Sequence, residues 1–236
     1  YMIGLRSVLP KTSKIVNFED DGEGITKADV VFNALYGESK FNNVYAGEKY
    51  YICPKSFMFF EPIKIKDQVK NVLVTFGGAD PQNYTDRIIK MILKDEYKNI
   101  NFTVVLGKSK YNVNDLMKYN ECPNINVYYD VKNMPELMSQ CDIAITSRGR
   151  TGYELSMLGI PSIVMAQNER EQRHDFVSNE NGFSYIGLNP TDEIIEGVLK
   201  MYLTLSKESR IELQNKLINH NLKDGRKRII NIINSL

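Results

Sequence analysis

Three cysteines, two histidines and almost no excess of charge set the first limits on this chain of 236 residues. Cys53, Cys122 and Cys141 are far apart and form no CxxC pair. An odd, dispersed set argues against a disulfide framework, and with no CxxC pair and only two histidines a zinc site is not expected either. Neither a metal nor a cofactor is expected, and Cys141 is expected to pack as a small hydrophobe at the start of a strand. Thirty Lys and Arg stand against 29 Asp and Glu, a formal net charge of +1. That removes the electrostatic case for nucleic acid as a partner. The basic run Lys223-Asp224-Gly225-Arg226-Lys227-Arg228 reads as a solvated helix face. No apolar stretch approaches the roughly 20 residues needed to span a bilayer. No cleavable signal is recognisable, so a cytoplasmic protein is expected. Internal repeats and low-complexity tracts are absent as well.

What is present is an ordinary core: 42% of residues are hydrophobic and 25% charged. From residue 70 onward, strand and helix patterns alternate. Residues 72–76, 102–106, 125–129 and 141–146 are short apolar or β-branched runs, as buried parallel strands require. Residues 160–165 supply another, and 183–186 read as an edge strand. Helical spacing is found over 84–94, 114–119 and 135–138, and over 169–181 with Gly182 as its left-handed stop. Residues 192–203, 207–219 and 226–233 read as closing helices. This alternation predicts an α/β fold with a mostly parallel, Rossmann-like sheet covered on both faces. Right-handed crossovers gather the loops after Phe76, Tyr129 and Thr146 along one edge, where ligands of open α/β sheets bind.

The first 66 residues differ. Residues 14–18 and 29–34 read as strands joined by the acidic turn Glu19-Asp20-Asp21-Gly22-Glu23-Gly24, and 50–52 as a third short run. Residues 57–62 read as a hinge carrying an apolar plug. The expected division is 1–66 as the end of one α/β domain and 67–236 as a second domain. Tyr1 followed by Met2 reads as the start of a fragment.

Two turns carry the chemistry. Gly77 and Gly78 follow a strand, where the lack of Cβ lets the backbone turn sharply and lets a ligand approach. Asp80 behind them can cap the next helix, and Asn83 can offer an amide to a phosphate or sugar. The competing reading is a plain turn with an Asp cap. The second turn, Ser147-Arg148-Gly149-Arg150-Thr151-Gly152-Tyr153-Glu154, puts backbone N–H groups at a strand's carboxyl end, where a phosphate can sit. Glu154 can accept hydrogen bonds from both hydroxyls of a ribose. Thr151 to Glu154 also fits a capping box, which would draw that carboxylate back onto the backbone. The two roles exclude each other. Further along, Gln167, Asn168 or His174 can face the hexose of a nucleotide sugar, or simply form a solvated helix start. Backbone groups near Asp130 and Val131 can read the edge of a pyrimidine.

In order and spacing, Gly77-Gly78-Ala79-Asp80…Asn83, Asp142…Ser147-x-Gly149-x-Thr151-x-x-Glu154…Leu158-Gly159-x-Pro161 and Gln167-Asn168 resemble the C-terminal half of GT-B nucleotide-sugar enzymes. The resemblance is to the pseudaminic-acid-pathway UDP-sugar hydrolases and the spore-coat polysaccharide biosynthesis glycosyltransferases. The lipid-II-forming N-acetylglucosaminyltransferase is a more distant likeness. Residues 16–20, 28–34 and 45–50 resemble the end of the family's N-terminal domain, so a truncated remnant of that domain is expected here. The resemblance implies that Glu154 binds the ribose, that Asn83 contacts substrate, and that Ser147, Gly149 and Thr151 form the diphosphate turn. It also places Val131 near the base-contacting backbone. The expected ligand is a nucleotide sugar, most simply a UDP-sugar, cleaved at its anomeric carbon. Nothing matches the general-base histidine in the glycine-rich loop of the hydrolases, and Pro54-Lys55-Ser56-Phe57 replaces a more basic segment. No catalytic residue is therefore assigned, and the chain alone is expected to bind nucleotide but turn over poorly. A nucleotide-sugar 2-epimerase and a non-catalytic nucleotide-sugar-binding domain of a larger protein are the rival readings.

Overall fold

A computed structural model describes residues 2–236, with side chains from residue 4 onward. The described residues divide into two compact units. The first runs to Pro54 and takes in His174–Phe176 and His220–Leu236, and the second comprises Lys55–Arg173 and Val177–Asn219. Relative to the expected division at 66/67, the hinge segment goes with the second unit and the final helix with the first.

The first unit begins with α1 (Met2–Val8) and holds a parallel three-stranded sheet, in the order β1 (Val16–Phe18), β2 (Val30–Asn33), β3 (Val44–Ala46). The run at 50–52 is not a strand. Glu48–Tyr50 is a 3-10 turn that follows Gly47 at φ 98°. The third strand lies earlier, and three residues are too short to show a period. Asn43, just before it, donates its amide to the carbonyls of Ile25 (2.9 Å) and Ala28 (3.0 Å). Val30 and Phe32 of β2 pack with Ile229 of the last helix, α9 (Gly225–Ile233). Gly225 allows that packing, because a Cβ there would lie 2.0 Å from the Tyr51 carbonyl oxygen. Gly225→Ala is expected to destabilise this unit by about 3 kcal/mol; an unchanged urea midpoint would refute the contact.

The second unit is a six-stranded parallel sheet in the order β6-β5-β4-β7-β8-β9. Its strands are β4 (Asn71–Thr75), β5 (Asn101–Leu106), β6 (Ile125–Tyr129), β7 (Ile143–Ser147), β8 (Ser162–Ala166) and β9 (Phe183–Leu188). Counted within the unit this is 3-2-1-4-5-6, the doubly wound order whose direction reverses between the first and fourth strands. β7 and β8 are buried along their whole length, which explains their continuous apolar runs. One core cluster joins Val72 and Val74 of β4 to Ile88, Ile89 and Ile92 of α2 (Tyr84–Ile92) and to Ile195 and Leu199 of α7 (Asp192–Thr204). Elsewhere, Ser156 of α5 (Arg150–Met157) donates its hydroxyl to the Leu217 carbonyl of α8 (Lys207–Ile218) at 2.5 Å.

Asp142 ties the two central strands together. Its carboxylate, 2% exposed, accepts from the N–H groups of Lys70 and Asn71 (2.9 Å each) and meets Lys66 Nζ at 2.8 Å. Asp142→Ala leaves those donors without an acceptor and is expected to cost about 2–4 kcal/mol in chemical denaturation. Loss of less than about 0.5 kcal/mol would exclude that role.

The helix expected over 169–181 stops after one turn, as α6 (Glu169–Gln172). Arg148 is the reason. Its guanidinium donates to the carbonyls of Gln172 and Val177 (2.8 Å each), holding the chain between them out of helical geometry. Nothing local in residues 169–181 records a partner 24 or 29 positions away. The expected Gly182 stop is nonetheless a left-handed turn, at φ 94°.

Candidate functional site

At the carboxyl ends of β4, β5, β6 and β7 the second unit encloses a cleft of about 160 Å³. Gly77 and Gly78 form one wall, Asp130 and Val131 another, and Thr151 and Glu154 of α5 a third. The strand-order reversal between β4 and β7 opens the sheet edge here, since the connections on either side depart in opposite directions.

Glu154 is released to the cleft by the register of its helix. α5 starts at Arg150 with Gly149 as its cap residue, and no side chain caps it. Thr151 is thus the second helical residue, and the capping box would need it two positions earlier. Glu154 lies past the first turn, and its carboxylate makes no hydrogen bond among the described residues. Burial is the main force on it and pushes its pKa up to about 7, with Arg150 pulling the other way. A half-buried carboxyl with no internal donor has the chemistry of an acceptor for ligand hydroxyls.

The capping motif exists elsewhere. Asn168 accepts the N–H of Glu171 (3.0 Å), and Glu171 reaches back to accept the N–H of Gln167 (2.9 Å). Those two hydrogen bonds satisfy donors at the start of α6.

The facing backbone is left open. Among the described residues, the N–H groups of Gly77 and Gly78 and both backbone groups of Val131 make no hydrogen bonds. Gly77 is left-handed at φ 70°, and Asp130, also left-handed at φ 47°, donates its N–H to the Leu106 carbonyl (3.0 Å). That bond turns Val131 toward the cleft.

The other sequence candidates lie around this cleft or away from it. Ser147 is buried as the last residue of β7, and Gly149 follows it, both outside the lining. Asn83 stands at the head of α2 in the left-handed region, φ 54°. It does not cap that helix. Asp80 does, accepting from the N–H groups of Tyr84 (2.9 Å) and Thr85 (3.0 Å). Gln167 is buried and donates its amide to the Phe76 carbonyl at 2.6 Å, bracing the strand end just before Gly77. Asn168 is occupied as a cap. His174 belongs to the first unit, where its ring meets Tyr36 edge to face.

The sequence reading missed the loop after β5. Gly107 and Lys108 line the cleft, and Lys110 follows two residues on, buried and outside the lining. The signal was available: a glycine directly after a strand, on the same edge as the other three loops.

No family model matches the chain. Among curated proteins it is 35% identical to an uncharacterized protein of Methanocaldococcus jannaschii, over 76% of this chain and 41% of that one. It is 28% identical to the spore coat polysaccharide biosynthesis protein SpsG of Bacillus subtilis, over 67% of this chain and 50% of that one. A third relative, from Helicobacter pylori, is named pseudaminic acid cytidylyltransferase and UDP-2,4-diacetamido-2,4,6-trideoxy-beta-L-altropyranose hydrolase, with 30% identity over 72% of this chain and 29% of that one. The chain therefore spans half or less of the length of these relatives. Among solved structures, MurG of Acinetobacter baumannii superposes on the whole chain and 70% of its own, with a TM-score of 0.68 at 14% identity. The chain is thus similar in sequence to the spore-coat and pseudaminic-acid proteins and has a GT-B-type fold. HepE of Anabaena, solved with UDP and glucose, matches 95% of the chain and 72% of its own at a TM-score of 0.59 and 11% identity. Within this GT-B-type fold the doubly wound unit carries the cleft. No helix among the described residues is long and apolar enough to cross a membrane.

Proposed function

We propose that the second unit binds the nucleotide of a UDP-sugar in the cleft beside Glu154. The ribose hydroxyls donate to the Glu154 carboxylate. The diphosphate is received by the free N–H groups of the Gly77–Gly78 turn and of Arg150 and Thr151 at the start of α5, with Asn83 beside them. The backbone N–H and C=O of Val131 pair with the pyrimidine edge. One observation carries this reading: the half-buried carboxyl without an internal donor faces backbone amides without internal acceptors, across a cleft of about 160 Å³. The names of the B. subtilis and H. pylori relatives, and the UDP and glucose bound to HepE, support the same ligand class.

The parent reaction is then cleavage of the C–O bond at the anomeric carbon, with transfer of the sugar to water or an acceptor in the synthesis of a surface polysaccharide or nonulosonic sugar. Backbone amides at the diphosphate stabilise charge that develops on the leaving group. A thermal-shift series with UDP, CDP and GDP tests the base. UDP is expected to raise the midpoint most, because binding to the folded state alone stabilises it by mass action. Equal shifts, or none, would overturn the assignment.

A further inference from the structure

Lys110 is the least accessible charge near the cleft, with a side chain 1% exposed. Its ammonium lies 3.0 Å from Asp80 Oδ2, 2.9 Å from Asn83 Oδ1 and 2.7 Å from Asp86 Oδ2. A lysine ammonium has three N–H bonds, so this set uses all of them. Asp86 is held from its other side by the Asn112 amide, and Asp80 by the N–H groups at the head of α2. Burying such a cluster is poor value for stability, since well-packed apolar side chains of similar volume serve as well or better. What it does is choose a direction. An ammonium can meet only the oxygen of a carboxamide, never its NH₂. Asn83 is therefore locked with Oδ1 inward and its NH₂ outward, and that NH₂ has no acceptor among the described residues. Asp80, not Asn83, caps α2, so the outward NH₂ of Asn83 serves no helix end.

We infer that Lys110 is a positioning residue: it fixes the Asn83 carboxamide as a donor toward the diphosphate of the bound nucleotide. This rests on the reading of the cleft given above, and its test separates the two.

Uridine and UDP are titrated by calorimetry into the 236-residue chain and its Lys110→Gln, Asn83→Ala and doubly substituted forms. Lys110→Gln is expected to lose about tenfold or more in UDP affinity with uridine affinity unchanged. In the Asn83→Ala background the same substitution is expected to change UDP affinity less than twofold, because its effect passes through Asn83. Full additivity of the two losses, or wild-type UDP affinity in folded Lys110→Gln, overturns the inference. If the unsubstituted chain binds neither ligand, the reading of the cleft itself fails. Should Lys110→Gln not fold, side-chain amide spectra of the unsubstituted chain decide. The Asn83 NH₂ pair is expected to shift with UDP and stay in place with uridine, and no shift with UDP overturns the inference.

Discussion

Glu154→Ala is expected to weaken UDP binding by about 1–3 kcal/mol, a factor of roughly 5 to 150, through loss of charge-assisted hydrogen bonds to the ribose. The chain should remain folded, because the carboxylate supports nothing else: it caps no helix and meets no internal donor. Its removal should even help stability at high pH. The pKa of Glu154 is raised to about 7 from an ordinary 4.5, chiefly by burial. Below pH 4.5 the group is protonated in folded and unfolded chains alike and carries no penalty. Between 4.5 and 7 the unfolded chain ionises first, so the folded state loses stability, and above 7 the loss is complete. Glu154→Gln should thus match the unsubstituted chain near pH 4 and exceed it near pH 8, by on the order of 2–3 kcal/mol. Ligand binding has the opposite sign. Ribose hydroxyls favour the ionised carboxylate, so binding of uridine, which has no phosphate to titrate, should release a proton near pH 7 and tighten from pH 6 to pH 8. Calorimetry in two buffers of different ionisation enthalpy measures that release, and Glu154→Gln should abolish it. Binding with no proton release in the unsubstituted chain would remove Glu154 from the site.

Gly107→Ala should be the most damaging single methyl in the second unit. Its Cβ would fall 2.0 Å from the Gly77 oxygen, 2.5 Å from the Gly78 oxygen and 2.6 Å from the Gly78 Cα. All three are backbone atoms, so no side chain can swing away. The turn after β4 must move instead, breaking the hydrogen bond from Ser109 N–H to the Gly78 carbonyl (2.9 Å). A loss of about 3 kcal/mol or more is expected, together with UDP binding. Gly78→Ala is the matched control. A Cβ there meets nothing within 4 Å, so stability should stay within about 0.5 kcal/mol. If Gly107→Ala melts like the unsubstituted chain, the two loops are not in contact in solution.

The parallel character of the main sheet was legible from residues 72–76, 102–106, 125–129 and 141–146, because strands buried on both faces must be apolar without alternation. The helices α7, α8 and α9 were legible from their spacing within a residue or two. β3 was not, since three residues leave no periodicity. The early end of α6 was not either, because its cause is the Arg148 guanidinium on a different loop.

The site divides along the same line. Local sequence determined that glycines and a carboxylate stand at strand ends, where a doubly wound sheet gathers them. It could not choose between capping and ligand binding for Glu154, since both begin from the same four residues. Tertiary structure removed the capping role, by starting α5 at Arg150 and so carrying Glu154 beyond reach of the helix end. It also brought Gly107 against Gly77 and set Lys110 beneath Asn83. Those neighbours are about 30 residues apart along the chain, and only strand pairing puts them side by side.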